Sequence, residues 1–320
     1  MKPLLYVTRR LPEEAVDMLS AHFEVSGWDS EETPVPREVL EREIENVDAL
    51  YCLITDTIDA PLLEKAKNLK VVSTLSVGFN HIDMEAAKAK NITVTNTPGI
   101  LTDTTADLTF ALLMATARRI PEASEHLRNN EWKSWSIFSL TGRDIHHATL
   151  GIIGFGAIGQ AVAKRAKGFD MNVLYYNRSR KYEAEETLGA VYQELDELLK
   201  ASDFVCILTP YSAETKDLIT ARELKLMKKT AVLINTARGG IVNEDDLYDA
   251  LVNGDIYAAG LDVFAEEPVD PDHKLLTLPN LVALPHIGSS SIDTRLGMCK
   301  LAAQNLIDVI QGRRNNIVHG

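Results

Sequence analysis

The run Leu150-Gly151-Ile152-Ile153-Gly154-Phe155-Gly156-Ala157-Ile158-Gly159 places three glycines in G-x-G-x-x-G spacing directly behind an apolar stretch, and a helical pattern over 160–167 follows. Few folds suit such a segment. Gly154 allows a tight turn, Gly156 lets backbone approach a pyrophosphate, and Gly159 permits close helix–strand packing. The helix start adds oriented N–H groups for phosphate oxygens. Outside this setting three glycines would be a weak signal. Within it they predict dinucleotide binding, with Phe155, Ala157 and Ile158 completing the cradle.

The rest of the chain agrees with that unit. Short β-branched or aliphatic runs alternate with amphipathic stretches, the pattern of an α/β protein. Strands are expected at 4–7, 50–54, 71–75 and 92–95, with helices at 12–21, 60–66 and 84–90. A second series is expected at 149–153, 173–176, 204–208, 231–235, 258–261 and 281–284. Between them a long helix, 103–119, should end at Pro121, and 122–147 loses periodicity while carrying Trp132, Trp135 and Phe138. A final helix, 292–310, is long enough to return to the amino-terminal part. At 320 residues two domains are expected: 1–99 completed by 289–320, and 100–288, with an active site in an interdomain cleft.

Composition excludes several partners. The net charge is −13, which argues against nucleic acid or an anionic membrane surface. An anionic substrate must then be drawn by local cations. Cys52, Cys206 and Cys299 lie far apart without C-x-x-C spacing, as expected of buried thiols in a reducing compartment, and no metal site is expected. The apolar start, residues 1–7, is too short for a signal peptide, and no run approaches membrane-spanning length, so a cytoplasmic location is expected.

Asn177 stands 18 residues beyond Gly159, where an NAD-specific site would place an acid on the ribose 2′-hydroxyl. A carboxylate there would repel a 2′-phosphate. Arg178 and Arg180, with Ser179 between them, can instead pair with it. NADP(H) is therefore the preferred cofactor, with NAD(H) as the alternative.

Ligands of doubly wound sheets collect at the carboxyl ends of strands. Three successive late strands carry Asn235-Thr236-Ala237-Arg238-Gly239-Gly240, Asp262 through Pro268, and Pro285-His286-Ile287-Gly288 at that edge. An arginine, a carboxylate and an imidazole suit carbonyl reduction. Hydride attack on a 2-oxo acid builds negative charge on the carbonyl oxygen, which must be stabilised and protonated. His286 can deliver the proton. An ordinary imidazole, with a pKa of about 6.5, is mostly neutral near neutral pH, so a carboxylate on the other ring nitrogen would favour the imidazolium. Glu266 and Glu267 compete for that position. Arg238 can grip a substrate carboxylate and polarise the carbonyl. The other seven histidines, His22, His81, His126, His146, His147, His273 and His319, are read as structural.

These segments resemble the D-isomer-specific 2-hydroxyacid dehydrogenase family over nearly the whole chain. The matching motifs are the segment 75–83 (Leu75-Ser76-Val77-Gly78-Phe79-Asn80-His81-Ile82-Asp83), the nucleotide loop, 235–245, and 260–268 followed by His286. The resemblance implies two doubly wound parallel-sheet domains, a Rossmann NAD(P)-binding domain and a flavodoxin-like substrate domain. It selects Glu267, which precedes Pro268, to join Arg238 and His286 as catalytic residues. It also implies that backbone N–H groups around Val77 and Gly78 bind the substrate carboxylate and that Asp262 contacts the nicotinamide amide. Thr209 and Pro210 would border the adenosine, Thr105 would sit near the nicotinamide, and Thr236, Ala237 and Gly288 would join the cofactor contacts.

Within the family, 177–180 and 103–107 look most like glyoxylate/hydroxypyruvate reductases, with 2-ketogluconate reductases close. Trp135 resembles a tryptophan that reaches the neighbouring subunit's active site and limits substrate size. A homodimer through 100–147 is expected. With 34 residues after His286, the regulatory domain of many phosphoglycerate dehydrogenases is not expected. The rivals are a nucleotide-sensing, corepressor-like scaffold, against which the intact trio weighs, and oxidation of formate or phosphite on the same cofactor fold.

Overall fold

The computed structural model describes residues 1–319, which divide into two compact units: 1–101 with 290 onward, and 102–289. In the first unit the strands are β1 (Leu4–Val7), β2 (Glu24–Gly27), β3 (Ala49–Cys52), β4 (Val71–Thr74) and β5 (Thr93–Thr95). The second holds β6 (Thr149–Ile153), β7 (Asn172–Tyr176), β8 (Val191–Tyr192), β9 (Phe204–Ile207), β10 (Val232–Asn235), β11 (Ala258–Leu261) and β12 (Leu281–Ala283), and β13 (Ile317–His319) returns to the first.

The first sheet runs β13-β5-β4-β3-β1-β2, parallel except for the antiparallel edge strand β13. Alternating side chains divide its core. Tyr6, Leu50, Val72 and Val94 pack on one face with the helices Arg37–Glu43, Ala60–Lys65 and Met84–Ala89. Leu5, Val7, Tyr51 and Val71 pack on the other with Glu13–Ser20 and Ile292–Ile310. Burial on both faces explains why these strands read as continuous apolar runs.

The second sheet is wholly parallel, in the order β12-β11-β10-β9-β6-β7-β8. Leu150, Ile152, Tyr175 and Ile234 face the helices Thr102–Ala117 and Ala157–Ala166, while Ile153, Val205, Leu233 and Leu261 face Leu195–Ala201, Ala221–Leu226 and Glu244–Asn253. Strand order reverses between β6 and β9, the position at which doubly wound sheets bind ligands.

Pro121 does not simply end a helix, as its sequence position predicts. The long helix closes at Ala117, Arg119 turns the chain at φ +53°, and Pro121 then occupies the first turn of a new helix, Ile120–Arg128. A proline lacks only an N–H that the first turn leaves unpaired anyway. Residues 129–147 are irregular, with Trp135 and Phe138 78% and 82% exposed. The three cysteines are buried and free, and burial pushes the Cys206 thiol up to about 12. No helix among the described residues is long and apolar enough to cross a membrane.

Candidate active site

At the end of β6 the chain turns at Gly154, whose φ of +96° suits only glycine. A Cβ there would lie 2.4 Å from the Thr209 nitrogen, and one at Gly159 would lie 2.3 Å from the Gly154 carbonyl oxygen. Gly156 differs: a Cβ would meet no heavy atom within 4 Å. The protein's own packing therefore does not demand glycine at 156, whereas a group lying against the backbone would. The helix Ala157–Ala166 starts at Gly156 with no side chain capping its first N–H groups. These residues fit a dinucleotide pyrophosphate. Thr209, just past β9 and followed by Pro210, borders the same turn.

Beyond β7, Asn177 accepts the Phe155 N–H (3.1 Å) and donates to the Ser179 carbonyl (2.9 Å). Its side chain ties the 177–179 turn to the glycine loop. The two arginines have different environments. Arg180 donates twice to Glu185, at 3.0 and 2.7 Å, and lies over the Tyr182 ring. Arg178 is exposed and has no hydrogen-bond partner among the described residues.

His286 follows β12 at φ +55°, and its Nδ1 lies 2.6 Å from a Glu267 carboxylate oxygen. Burial pushes the Glu267 carboxyl up. The hydrogen bond with His286, that residue's charge, the Phe264 N–H and the charge of Arg238 outweigh it and hold the group below its ordinary value. Burial lowers the Arg238 pKa, and the charge of Glu267 opposes that shift. The three side chains thus share one electrostatic neighbourhood. Glu266 makes no such contact with His286.

Each member is held by a neighbour. Asn235, 2% exposed, accepts the Ala237 N–H (3.0 Å) and donates to the Arg238 carbonyl (2.9 Å). Thr236 bonds Thr109 at 2.7 Å. Gly239 passes so close to the next loop that a Cβ would fall 1.8 Å from the Phe264 carbonyl oxygen. Asp262 is fully buried and accepts the N–H groups of Ile287 (2.7 Å) and Gly288 (2.8 Å), fastening the chain just after His286. Burial raises its pKa, partly offset by those N–H groups. Gly288 leaves little room between Asp262 and Thr105, 3.2 and 3.5 Å from a hypothetical Cβ.

In the first unit, Val77 and Gly78 follow β4. Their carbonyls are occupied: Val77 accepts from Asn96 Nδ2 (2.8 Å) and Gly78 from Ser76 Oγ (2.5 Å). Neither N–H finds an acceptor among the described residues, so both remain for an anion. Trp135 lies in the exposed arm of the second unit.

Sequence reasoning singled out neither Asn235 nor Glu244 for a role. The Glu244 carboxylate accepts the Ala265 N–H (2.6 Å) and so orients the loop leading to Glu267. Its one sequence signal is the N-cap Asn243 ahead of Glu244-Asp245-Asp246, which marks a helix start and not a contact with another strand. Among the described residues no cluster of His, Cys, Asp or Glu could hold a metal ion.

Residues 110–288 match the model of the D-isomer specific 2-hydroxyacid dehydrogenase NAD binding domain. A glyoxylate reductase from Thermococcus gammatolerans is 49% identical over 311 residues, 96% of this chain and 92% of that protein. A crystal structure of a Thermus thermophilus protein superposes with a TM-score of 0.91 at 43% identity, covering 98% of this chain and 99% of that one. An NADPH-dependent glyoxylate/hydroxypyruvate reductase from Sinorhizobium meliloti, crystallised with NADP and malonate, superposes with a TM-score of 0.87 at 31% identity, covering 99% and 97%.

Proposed function

The chain belongs to the D-isomer specific 2-hydroxyacid dehydrogenases and is an NAD(P)-dependent enzyme of glyoxylate reductase type that reduces a 2-oxo acid; from that premise we propose that it converts glyoxylate and hydroxypyruvate to glycolate and D-glycerate with NADPH as the preferred reductant. The observation that carries the chemistry is the 2.6 Å contact between Glu267 and His286 with Arg238 in the field of Glu267.

The nicotinamide, when bound, supplies the hydride. Arg238 binds the substrate carboxylate and draws electron density towards the carbonyl oxygen. In the first unit, the backbone N–H groups of Val77 and Gly78, neither with an acceptor among the described residues, suit a carboxylate. His286 gives its proton to the oxygen as charge develops there, and Glu267 fixes the ring through its contact with Nδ1. Asp262 keeps the His286 segment in place, and contact with the nicotinamide amide would add to that role. Thr105, Thr236, Ala237 and Gly288 would border the cofactor.

The NADPH preference is supported by Asn177 in place of an acid and by Arg178, whose guanidinium is left for a 2′-phosphate. A kcat/KM panel of glyoxylate, hydroxypyruvate, pyruvate and 2-ketogluconate with both cofactors tests the reading. NADPH with glyoxylate or hydroxypyruvate is expected to lead, and equal efficiency with NADH overturns the cofactor assignment. A homodimer formed through the segment 100–147 and a cytoplasmic location complete the proposal.

A further inference from the structure

We propose that Asn305 is a positioning residue that sets affinity for the substrate carboxylate from the far end of the chain, by way of Asn96 and the Val77–Gly78 loop; this rests on reading that loop as the carboxylate site. Asn305 lies on the helix Ile292–Ile310, is 1% exposed and sits among the apolar residues that face the sheet. A buried amide is costly unless its donor and acceptor are both used. Here both are. Its Nδ2 donates to the Asn96 carbonyl at 2.8 Å, and its Oδ1 accepts from Asn316 Nδ2 at 2.9 Å.

Asn96, just past β5, passes the constraint on. Its Nδ2 donates to the Val77 carbonyl (2.8 Å), and its N–H reaches the Asn316 carbonyl (3.3 Å). The next N–H, of Thr97, bonds the Ser76 carbonyl at 2.9 Å. With its carbonyls held from below, the loop is left with two N–H groups to offer. Asn316 is itself held in place. The turn before it is gathered on Asp308, which accepts from Gln304 (2.7 Å), Arg313 (2.5 Å) and Asn315 (2.7 Å). A chain of side-chain amides therefore runs from Asn316, just before β13, to the loop, all within the first unit.

Two variants separate positioning from simple packing. Asn305→Asp is isosteric, keeps an oxygen for Asn316 and places an acceptor against the Asn96 carbonyl. Asn316→Gly removes the side-chain bond at a φ of +54° that glycine adopts freely. The readouts are kcat and KM for glyoxylate, kcat/KM for its methyl ester, and NADPH affinity by fluorescence titration. Loss of one buried bond is expected to raise KM for glyoxylate about tenfold. The expectation for kcat, the ester and NADPH affinity is change within about twofold, because these do not draw on the loop N–H groups. Unchanged KM in both variants overturns the proposal, as does an equal loss for acid and ester. Should Asn305→Asp fail to fold, Asn316→Gly carries the test alone. A wild-type enzyme that reduces acid and ester equally well overturns the loop reading and the relay with it. An intact preference for the acid that neither variant alters overturns the relay only.

Discussion

A carboxylate 2.6 Å from an imidazole nitrogen makes a charge-assisted hydrogen bond and dictates which ring nitrogen carries the outward proton. His286→Gln keeps an amide near that position but cannot deliver a proton. We expect kcat to fall about 10²- to 10⁴-fold while NADPH still binds. Retained turnover would remove His286 from the mechanism. Glu267 gives a pH signature. Its folded pKa lies below the ordinary glutamate value of about 4.3, so its stabilisation is complete above that pH and is lost as pH falls through the folded value. The melting temperature of Glu267→Gln should trail wild type at pH 6, and the gap should close towards pH 3. A gap that widens in acid would reverse the sign assigned here. Glu267 was distinguishable from Glu266 in the sequence only through its proline neighbour and the family resemblance. The bond itself joins two loops 19 residues apart, which no local pattern reports.

At the scale of elements, loops at strand ends carry the chemistry and other loops hold them. Gly239 is the clearest case, since any side chain would collide with the Phe264–Ala265 backbone. Gly239→Ala should cost about 1–3 kcal/mol of stability, read in urea melts, and should depress kcat because Arg238 and Glu267 are attached to the two strands involved. The cofactor-binding turn divides its two arginines. Arg180 is committed to Glu185, and Arg178 is not. Arg178→Ala should therefore lower the NADPH/NADH ratio of kcat/KM by about 10- to 100-fold, the worth of a charge-assisted bond, with Arg180→Ala having a smaller effect. Equal effects would show that the Glu185 pair opens when cofactor binds. From the sequence both arginines looked equally available, because Glu185 lies in the following helix and its reach depends on how that helix folds back.

At the scale of the whole molecule, an acidic chain exposes four large apolar side chains close in sequence, Trp132, Trp135, Ile137 and Phe138, on an irregular arm. Such patches on soluble proteins mark contact surfaces. Light scattering at micromolar concentration should report the mass of two chains, and Phe138→Asp should shift it towards one. A wild-type monomer would overturn the dimer. What the sequence determined alone was the local grammar: the strand–turn–helix with its glycines, the alternating α/β order, and the residue types at the ends of late strands. Those signals act over a few residues, through φ requirements and the two-residue strand period, so they survive without coordinates. The edge strand β13, the restart of the helix at Pro121 and the partners of Arg180, Asp262 and Asn305 were decided only by tertiary structure. A hydrogen bond between segments distant in sequence exists only once packing has fixed where each segment lies.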